Sequence, residues 1–172
     1  MNTLIISSSL SNKSRSYILC KYIAKELEKR KVNIKLFDIR KINIHPCHSE
    51  ITQGMIYLKN EIKSCDNIIF GMGVHNYSIN DSLKIILDNC MDKVEGKFFG
   101  ILCAAGGQKS YLSTMHLTQI CMNEWRMIQL PRVVYATSQE FNSNNLISNK
   151  ETKKRLKIFA KEFHTIGSKL IN

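Results

Sequence analysis

The feature that most constrains the fold is a regular alternation of short apolar runs with segments of helical periodicity. Four of the five runs are almost continuously apolar, which is typical of parallel strands covered on both faces. The remaining run, NIKLF, alternates polar with apolar residues and predicts a more exposed strand near a sheet edge. The five predicted strands are TLIIS (Thr3–Ser7), NIKLF (Asn33–Phe37), NIIFG (Asn67–Gly71), FFGILCA (Phe98–Ala104) and RVVYA (Arg132–Ala136).

The segments between these runs carry apolar stripes at helical spacing. Leu83, Ile86, Leu87 and Cys90 follow the i, i+3, i+4, i+7 pattern of a half-buried helix. Similar stripes or segments are Leu19/Ile23/Leu27, residues 52–64, residues 109–125 and Phe159/Phe163/Ile166/Leu170. Strands that alternate with helices predict a parallel sheet with right-handed crossovers, in one α/β domain over residues 1–172.

Composition limits the possible partners. The formal net charge of +11 favours anionic partners such as phosphorylated cofactors, nucleic acid or acidic membranes. The basic residues are spread over segments such as KELEKRK and KETKKRLK, which are typical of solvated helix faces. A basic nucleic-acid-binding domain stays as an alternative that only the charge supports. We expect no nucleic-acid partner.

Cysteine usage and hydropathy indicate the compartment. The six cysteines (Cys20, Cys47, Cys65, Cys90, Cys103 and Cys121) show no paired spacing, and several occupy core positions, so free thiols in a reducing compartment are expected. No apolar run approaches the roughly 20 residues that span a bilayer. We therefore predict a cytoplasmic protein with no membrane partner.

The predicted topology locates a site before any motif is considered. In open α/β sheets, ligands bind at the carboxyl ends of the strands, where the strand order reverses. Three segments of unusual composition leave those ends, at residues 7–16, 72–82 and 104–110.

The first segment carries a serine-rich stretch, ISSSLSNKS, directly before a predicted helix. Free backbone N–H groups and the helix dipole favour an anion at a helix N-terminus, and serine hydroxyls can donate to phosphate oxygens. Lys13 and Arg15 add positive charge. Ser14 or Ser16 could instead serve only as the helix cap.

The other two segments suit a flat ligand. GMGVHNYSIND offers the planar rings of His75 and Tyr77 together with the hydrogen-bonding groups of Asn76 and Ser78. CAAGGQKS offers a small-residue turn against which a ligand could lie close to the backbone. Alternatively, His75 is a surface histidine and the glycine run is a plain tight turn.

These motifs resemble the NADPH-dependent FMN reductase family of flavodoxin-like proteins, up to about Tyr135. The family's Gly-Ser-x-Arg-x-x-Ser-x-Asn loop aligns with SSLSNKSRS, residues 8–16. Its loop after the third strand aligns with GVHNYSINDSLKIILD, residues 73–88, with matches at Asn76, Ser78, Leu83, Lys84 and Asp88. The family's glycine-rich loop after the fourth strand aligns with Gly106 and Gly107.

The resemblance implies a flavodoxin-like three-layer sandwich of strand order 2-1-3-4-5. It implies an FMN-dependent NAD(P)H oxidoreductase, usually a homodimer or higher homo-oligomer, that passes hydride from nicotinamide to flavin and on to a small-molecule electron acceptor such as a flavin or quinone. The flavin carries that chemistry, so no catalytic side chain is required. The cofactor-binding residues it implies are Ser9, Ser11, Ser14, Ser16, Val74, His75, Asn76, Tyr77, Ser78, Gly106 and Gly107.

The chain departs from the family pattern at several positions. Ser8 replaces the first glycine, Ser11 the arginine and Ser16 the asparagine, while Gly73-Val74-His75 replaces Pro-Glu-Tyr and Asn80-Asp81 replaces Pro-Gly. Loss of the arginine weakens phosphate binding, although Lys13 or Arg15 could compensate in part. A flavodoxin-fold binding or regulatory protein with weakened or lost flavin binding is therefore the alternative.

One further cluster, HPCH at residues 45–48, places two histidines and a thiol close together. Such ligands suit zinc or copper. A fourth ligand is missing nearby, and an ordinary loop is the preferred interpretation, so no metal site is predicted.

Overall fold

The computed structural model describes residues 1–171 of the chain. Its strands are β1 (Asn2–Ser7), β2 (Asn33–Asp38), β3 (Asn67–His75), β4 (Ser78–Ile79), β5 (Phe98–Ala104), β6 (Ile128–Gln129) and β7 (Val134–Ala136). Its α-helices are α1 (Arg15–Glu28), α2 (Gln53–Ser64), α3 (Asp81–Cys90), α4 (Thr114–Trp125) and α5 (Lys150–Lys169). All five predicted helical segments contain an α-helix, although the segment at residues 109–125 begins as a 3₁₀ helix (Gln108–Ser113) and is α-helical only from Thr114.

The central sheet is parallel and has the order β2-β1-β3-β5-β6, with β7 also paired to β5 and the short β4 antiparallel to β3. This arrangement confirms the predicted flavodoxin-like order. Among residues 1–171 the alternating strand β2 pairs only with β1, and it therefore forms an edge, as predicted. The two-residue strands β4 and β6 were not predicted.

The opposite edge is a strand in two pieces. β6 pairs with Phe98 and Phe99 at the start of β5, and β7 pairs with its last three residues, from Leu102. Pro131 lies between the pieces and has no N–H to donate to a ladder. The prediction that this strand begins at Arg132 is therefore wrong by two residues, because pairing resumes only at Val134.

Helices cover both faces of the sheet. On one face, α2, α3 and α4 pack around buried residues such as Leu58, Ile86 and Leu117. On the other face, α1 and α5 pack around residues such as Ile23 and Phe159. The parallel strands are buried by these two layers, and the carboxyl ends of β1, β3 and β5 are left to carry loops. Within residues 1–171, no helix is both long and apolar enough to cross a membrane.

Candidate cofactor site

The segment after the third predicted strand is a β-hairpin rather than an irregular loop. β3 continues to His75, and β4 returns with Val74 opposite Ile79 and His75 opposite Ser78. The two turn residues, Asn76 and Tyr77, have φ angles of 47° and 60°. Two consecutive left-handed residues define the turn that best matches strand twist in a hairpin. Asn-Tyr lacks the glycine that usually marks this turn, which is why the sequence did not reveal it.

A buried polar network ties the first loop to this hairpin. Asn80 precedes α3, but its side chain makes no cap to that helix. Instead its amide nitrogen donates to the Ser8 carbonyl at 2.9 Å, and its amide oxygen accepts from the Gly73 N–H at 3.1 Å and the Ser8 hydroxyl at 3.0 Å. The Ser82 hydroxyl also donates to the Ser8 carbonyl, at 2.6 Å. Because all of these groups are fixed by one another, the two loops are held side by side.

The first loop is organised by its own serines. The Ser14 hydroxyl is the N-cap of α1, accepting from the Tyr17 N–H at 3.1 Å, and it lies 3.0 Å from the Ser16 hydroxyl. The Ser9 hydroxyl accepts from the Ser11 N–H at 3.3 Å. The Ser11 hydroxyl accepts from the Lys13 N–H at 3.2 Å. A hydroxyl that accepts one hydrogen bond still has its own proton to donate, so Ser9 and Ser11 remain available to an anion.

The third loop presents the N–H edges of its peptide groups. The carbonyl of Gly106 accepts from the Ser138 hydroxyl at 3.0 Å, and that of Gly107 accepts from the Tyr135 hydroxyl at 2.5 Å. In a trans peptide the N–H of the next residue points the opposite way from the carbonyl. The amides of Gly107 and Gln108 are therefore directed away from Ser138 and Tyr135.

A cleft of about 680 Å³ lies between the hairpin and the third loop, in the size range of cofactor pockets. It is lined by Val74, Asn76, Tyr77, Gly106, Gly107, Gln108, Lys109 and Ser110. A Cβ at either Gly106 or Gly107 would meet no atom of residues 1–171 within 4 Å. These glycines therefore leave a ligand free to approach the backbone closely.

The structure brings together five of the eleven predicted residues in this cleft, and the other six lie outside its lining. His75 is largely exposed, and its Nδ1 lies 3.5 Å from a carboxylate oxygen of Asp81. The Ser78 hydroxyl lies 2.9 Å from Nδ1 of His116 on α4. The four first-loop serines belong to the loop that Ser8 ties to the hairpin through its hydrogen bonds with Asn80 and Ser82. Their role in binding, like that of the whole predicted set, stays a prediction.

Gln108, Lys109 and Ser110 line the cleft but were not singled out from the sequence. They belong to the predicted third loop, and they begin a 3₁₀ helix, Gln108–Ser113. The composition of that loop points to its glycines and carries no comparable signal at the residues that follow them. The available signal was the positive charge of Lys109, two residues after Gly107.

Other candidate groups do not converge on the cleft. Within residues 1–171, no three His, Cys, Asp or Glu side chains are grouped so that they could hold a metal ion. His45 instead faces the carbonyl of Glu50 at 3.1 Å, in an exposed loop. Burial raises the pKa of the Cys103 thiol on β5 to about 12, so this cysteine is an inert core residue.

Comparison with known proteins identifies the class. The model of the NADPH-dependent FMN reductase family matches residues 1–142, and the chain therefore belongs to this family. It is accordingly an oxidoreductase of the NAD(P)H-dependent FMN reductase type, with FMN and NAD(P)H as its cofactors. The predicted family, enzyme class and cofactors are thereby confirmed. No curated protein matches the chain.

Solved structures agree on the fold. FerB from Paracoccus denitrificans, a flavoenzyme NAD(P)H:(acceptor) oxidoreductase, is 17% identical with a TM-score of 0.78, over 98% of this chain and 97% of that one. The apo form of the NADH:FMN oxidoreductase EMOB is 15% identical with a TM-score of 0.80, over 96% and 89%. A flavodoxin from the domain Archaea is 11% identical with a TM-score of 0.69, over 100% of both chains.

The residues of the cleft fit a flavin. A planar ring system requires an open slot beside backbone donors, and the unfilled space over Gly106 and Gly107 provides one. The exposed ring of Tyr77 provides an apolar wall at the opposite side. The hydroxyl protons of Ser9 and Ser11 and the N-terminus of α1 are donors of the kind that would suit the phosphate.

Proposed function

We propose that this protein binds FMN in the cleft between the hairpin and the third loop, and reduces a small organic acceptor there. The observation that carries the proposal is the 680 Å³ cleft at the carboxyl ends of β3 and β5, lined by open glycine backbone, in a chain of this family. Bound FMN supplies the redox chemistry by taking two electrons from NAD(P)H and delivering them to the acceptor.

The protein's own groups bind and orient. The N–H groups of Gly107 and Gln108 would donate to the polar edge of the ring. The two peptides are held in place because their carbonyl groups, those of Gly106 and Gly107, accept hydrogen bonds from the hydroxyls of Ser138 and Tyr135. Tyr77 and Val74 cover apolar ring surface and exclude water from part of the slot. Ser9, Ser11, Ser14 and Ser16, with the N-terminus of α1, are proposed to bind the phosphate.

The acceptor is proposed to be a flavin, a quinone or a similar flat molecule. The cleft volume of about 680 Å³ leaves room for a second flat ring beside a flavin ring, and within residues 1–171 no carboxylate or thiol side chain lines it. Lys109 is the one charged residue among those that line the cleft in residues 1–171. Its ammonium favours acceptors that carry negative charge.

A homodimer is proposed as the assembly. Large apolar side chains are exposed along the 3₁₀ helix and α4, namely Leu112, Met115 and Met122, and Ile128 continues the surface. Leu112 is 72% exposed. On α3 the corresponding stripe is buried, so the surface near α4 is a stronger candidate for the dimer interface than α3.

A cytoplasmic location is proposed from the absence of cysteine pairing, since all six cysteines are free.

The proposal is tested by steady-state kinetics of the protein purified with added FMN. Oxidation of NADH and NADPH is followed with no acceptor, with free flavin, with a neutral quinone and with a sulfonated quinone. We expect acceptor-dependent oxidation that requires FMN, with a higher kcat/KM for the sulfonated quinone. We expect no strong binding of DNA or RNA; such binding, with a steep salt dependence, would be the mark of a nucleic-acid-binding domain.

Absence of FMN-dependent oxidation with every acceptor would contradict the proposal. It would favour the alternative, a flavodoxin-fold binding or regulatory protein whose substituted first loop no longer supports turnover.

A further inference from the structure

We propose that Arg40 binds the phosphate group of FMN, in place of the family arginine that Ser11 replaces in this chain. The inference rests on the proposed FMN site and adds a residue from a different part of the chain. Arg40 lies in a 3₁₀ turn, Ile39–Lys41, directly after the edge strand β2, and not in the first loop itself. No motif in the sequence marks this residue as a phosphate ligand.

Two neighbours fix the guanidinium of Arg40. Its Nε lies 2.8 Å from Oδ1 of Asp38, and its Nη2 lies 2.5 Å from Oδ2, which is a forked pair. Its central carbon lies 4.5 Å from the centre of the Tyr17 ring, in the first turn of α1. A fork on one edge and an aromatic ring on one face leave the side chain little freedom.

The remaining edge of the guanidinium reaches the first loop. Nη1 donates to the carbonyl of Ser11 at 3.4 Å. Ser11 is the residue that occupies the position of the family arginine. An arginine has five N–H groups. Three of them are engaged by Asp38 and Ser11, which leaves two without an acceptor in the part of the chain that the structure describes.

The two basic residues inside the loop are placed less well. The guanidinium of Arg15 lies 5.7 Å from the centre of the Phe141 ring and so is turned towards the segment at residues 138–149. The carbonyl of Lys13 accepts from Asn145 of the same segment at 3.1 Å, while its side chain is exposed. Arg40 is therefore the arginine that faces Ser11.

Asp38 sets the kind of contribution that Arg40 can make. Burial alone would raise the pKa of the Asp38 carboxyl, but hydrogen bonds from the Arg40 side chain and backbone hold that pKa below its usual value. The Asp38 carboxylate is thus charged, and its negative charge offsets the positive charge of Arg40 for a ligand at a distance. Arg40 then contributes short, directed hydrogen bonds to a phosphate rather than long-range attraction.

The test compares FMN with riboflavin, which has the same ring and no phosphate. Dissociation constants of both flavins are measured by fluorescence quenching for the wild-type apoprotein, Arg40→Gln, Arg15→Gln and Asp38→Asn/Arg40→Gln. The double variant removes the pair together, so that no unpaired carboxylate is left near the core. Far-ultraviolet circular dichroism checks that each variant is folded.

We expect Arg40→Gln and the double variant to weaken FMN binding about tenfold or more and to leave riboflavin within about twofold, as the loss of a charge-assisted hydrogen bond predicts. Arg15→Gln should leave the ratio of the two constants unchanged. Equal weakening of both flavins, no weakening of FMN, or a larger effect of Arg15→Gln would each overturn the role of Arg40. If the wild type binds neither flavin, the proposed function fails with it.

Discussion

At the scale of single residues, Gly107 is where the site depends most directly on the absence of a side chain. Its backbone is extended, with φ −154° and ψ −177°, a conformation that any residue adopts. The residue is exposed, and a Cβ there would meet no protein atom within 4 Å. The glycine is thus not needed for folding, and its value lies in the space it leaves.

We predict that Gly107→Val changes the free energy of unfolding by less than about 0.5 kcal/mol, as is usual for open surface positions. The same substitution should weaken FMN binding about tenfold or more, because the branched side chain occupies the slot. Gly107→Ala should show a smaller loss. Chemical denaturation and flavin titration measure the two effects, and unchanged FMN affinity in the valine variant would refute this placement of the ring.

Tyr77 is held in a conformation that costs free energy. A non-glycine residue with φ near 60° is disfavoured by about 1–2 kcal/mol. The ring is 64% exposed, so it adds little to the core in return. The hairpin turn requires this conformation, and it holds the ring at the cleft.

We predict that Tyr77→Gly leaves the stability within about 1 kcal/mol of wild type, because relief of strain offsets the greater freedom of the unfolded chain. FMN binding should weaken, since the wall of the cleft is lost. Lys93→Gly is the matched control: Lys93 has φ 53° and lies just before β5, at the other end of the sheet. If Lys93→Gly weakens FMN binding as much as Tyr77→Gly does, the cleft role of Tyr77 is wrong.

At the scale of elements, the hairpin β3–β4 and the first loop act as one unit through Asn80. The side chain is 1% exposed and makes hydrogen bonds to both loops, so its removal leaves the Gly73 N–H without its partner. We predict that Asn80→Ala lowers the free energy of unfolding by about 2 kcal/mol, the usual cost of orphaned buried polar groups.

Urea denaturation of Asn80→Ala is to be compared with Asn60→Ala, since Asn60 is an exposed residue on α2. Alanine is the better helix former, so Asn60→Ala should be neutral or slightly stabilising. A loss below about 0.5 kcal/mol for Asn80→Ala, with an unchanged denaturant slope, would mean that the network is not structural.

The elements also show what the sequence could and could not predict. The long parallel strands were predicted because runs such as FFGILCA are buried on both faces and need no partner to be recognised. The two-residue strands β4 and β6 carry no periodic signal of their own, because pairing with β3 and β5 alone defines them. The hairpin between β3 and β4 was not predicted because its turn, Asn76-Tyr77, contains no glycine.

The predicted topology located the candidate site, but the alternation of side chains along β3 determines which residues line the cleft. The parallel arrangement of the strands alone places the three loops together, at the end of the sheet that holds the carboxyl ends of the strands. Once β3 continued past Gly73, Val74 came to line the cleft and His75 came to point away from it. The extension of β3 is set by its pairing with β4, which the sequence did not reveal. Arg40 was missed because only the fold brings the end of β2 to the first loop.

At the scale of the whole molecule, the thiols report whether the two packed faces are intact. Five of the six cysteines are buried, and Cys47 is exposed. Burial raises the pKa of Cys65 and Cys90 to about 11 and that of Cys103 and Cys121 to about 12. At neutral pH these thiols are therefore protonated and shielded from reagents.

We predict that one thiol reacts rapidly with a chromogenic disulfide reagent in the native protein, and that all six react after denaturation. Cys47→Ser should abolish the rapid phase and leave the rest unchanged. Two or more rapidly reacting thiols in the folded protein would contradict the packing described for the faces of the sheet.

We infer that this family member holds FMN in the cleft over Gly106 and Gly107. The most direct measurement is an equilibrium titration of the apoprotein with FMN, read by flavin fluorescence and absorbance, beside the same titration of Gly107→Val. We expect saturable binding of one FMN per chain to the wild type and a clearly weaker binding constant for the variant. No saturable binding to the wild type, or equal constants for both proteins, would contradict it.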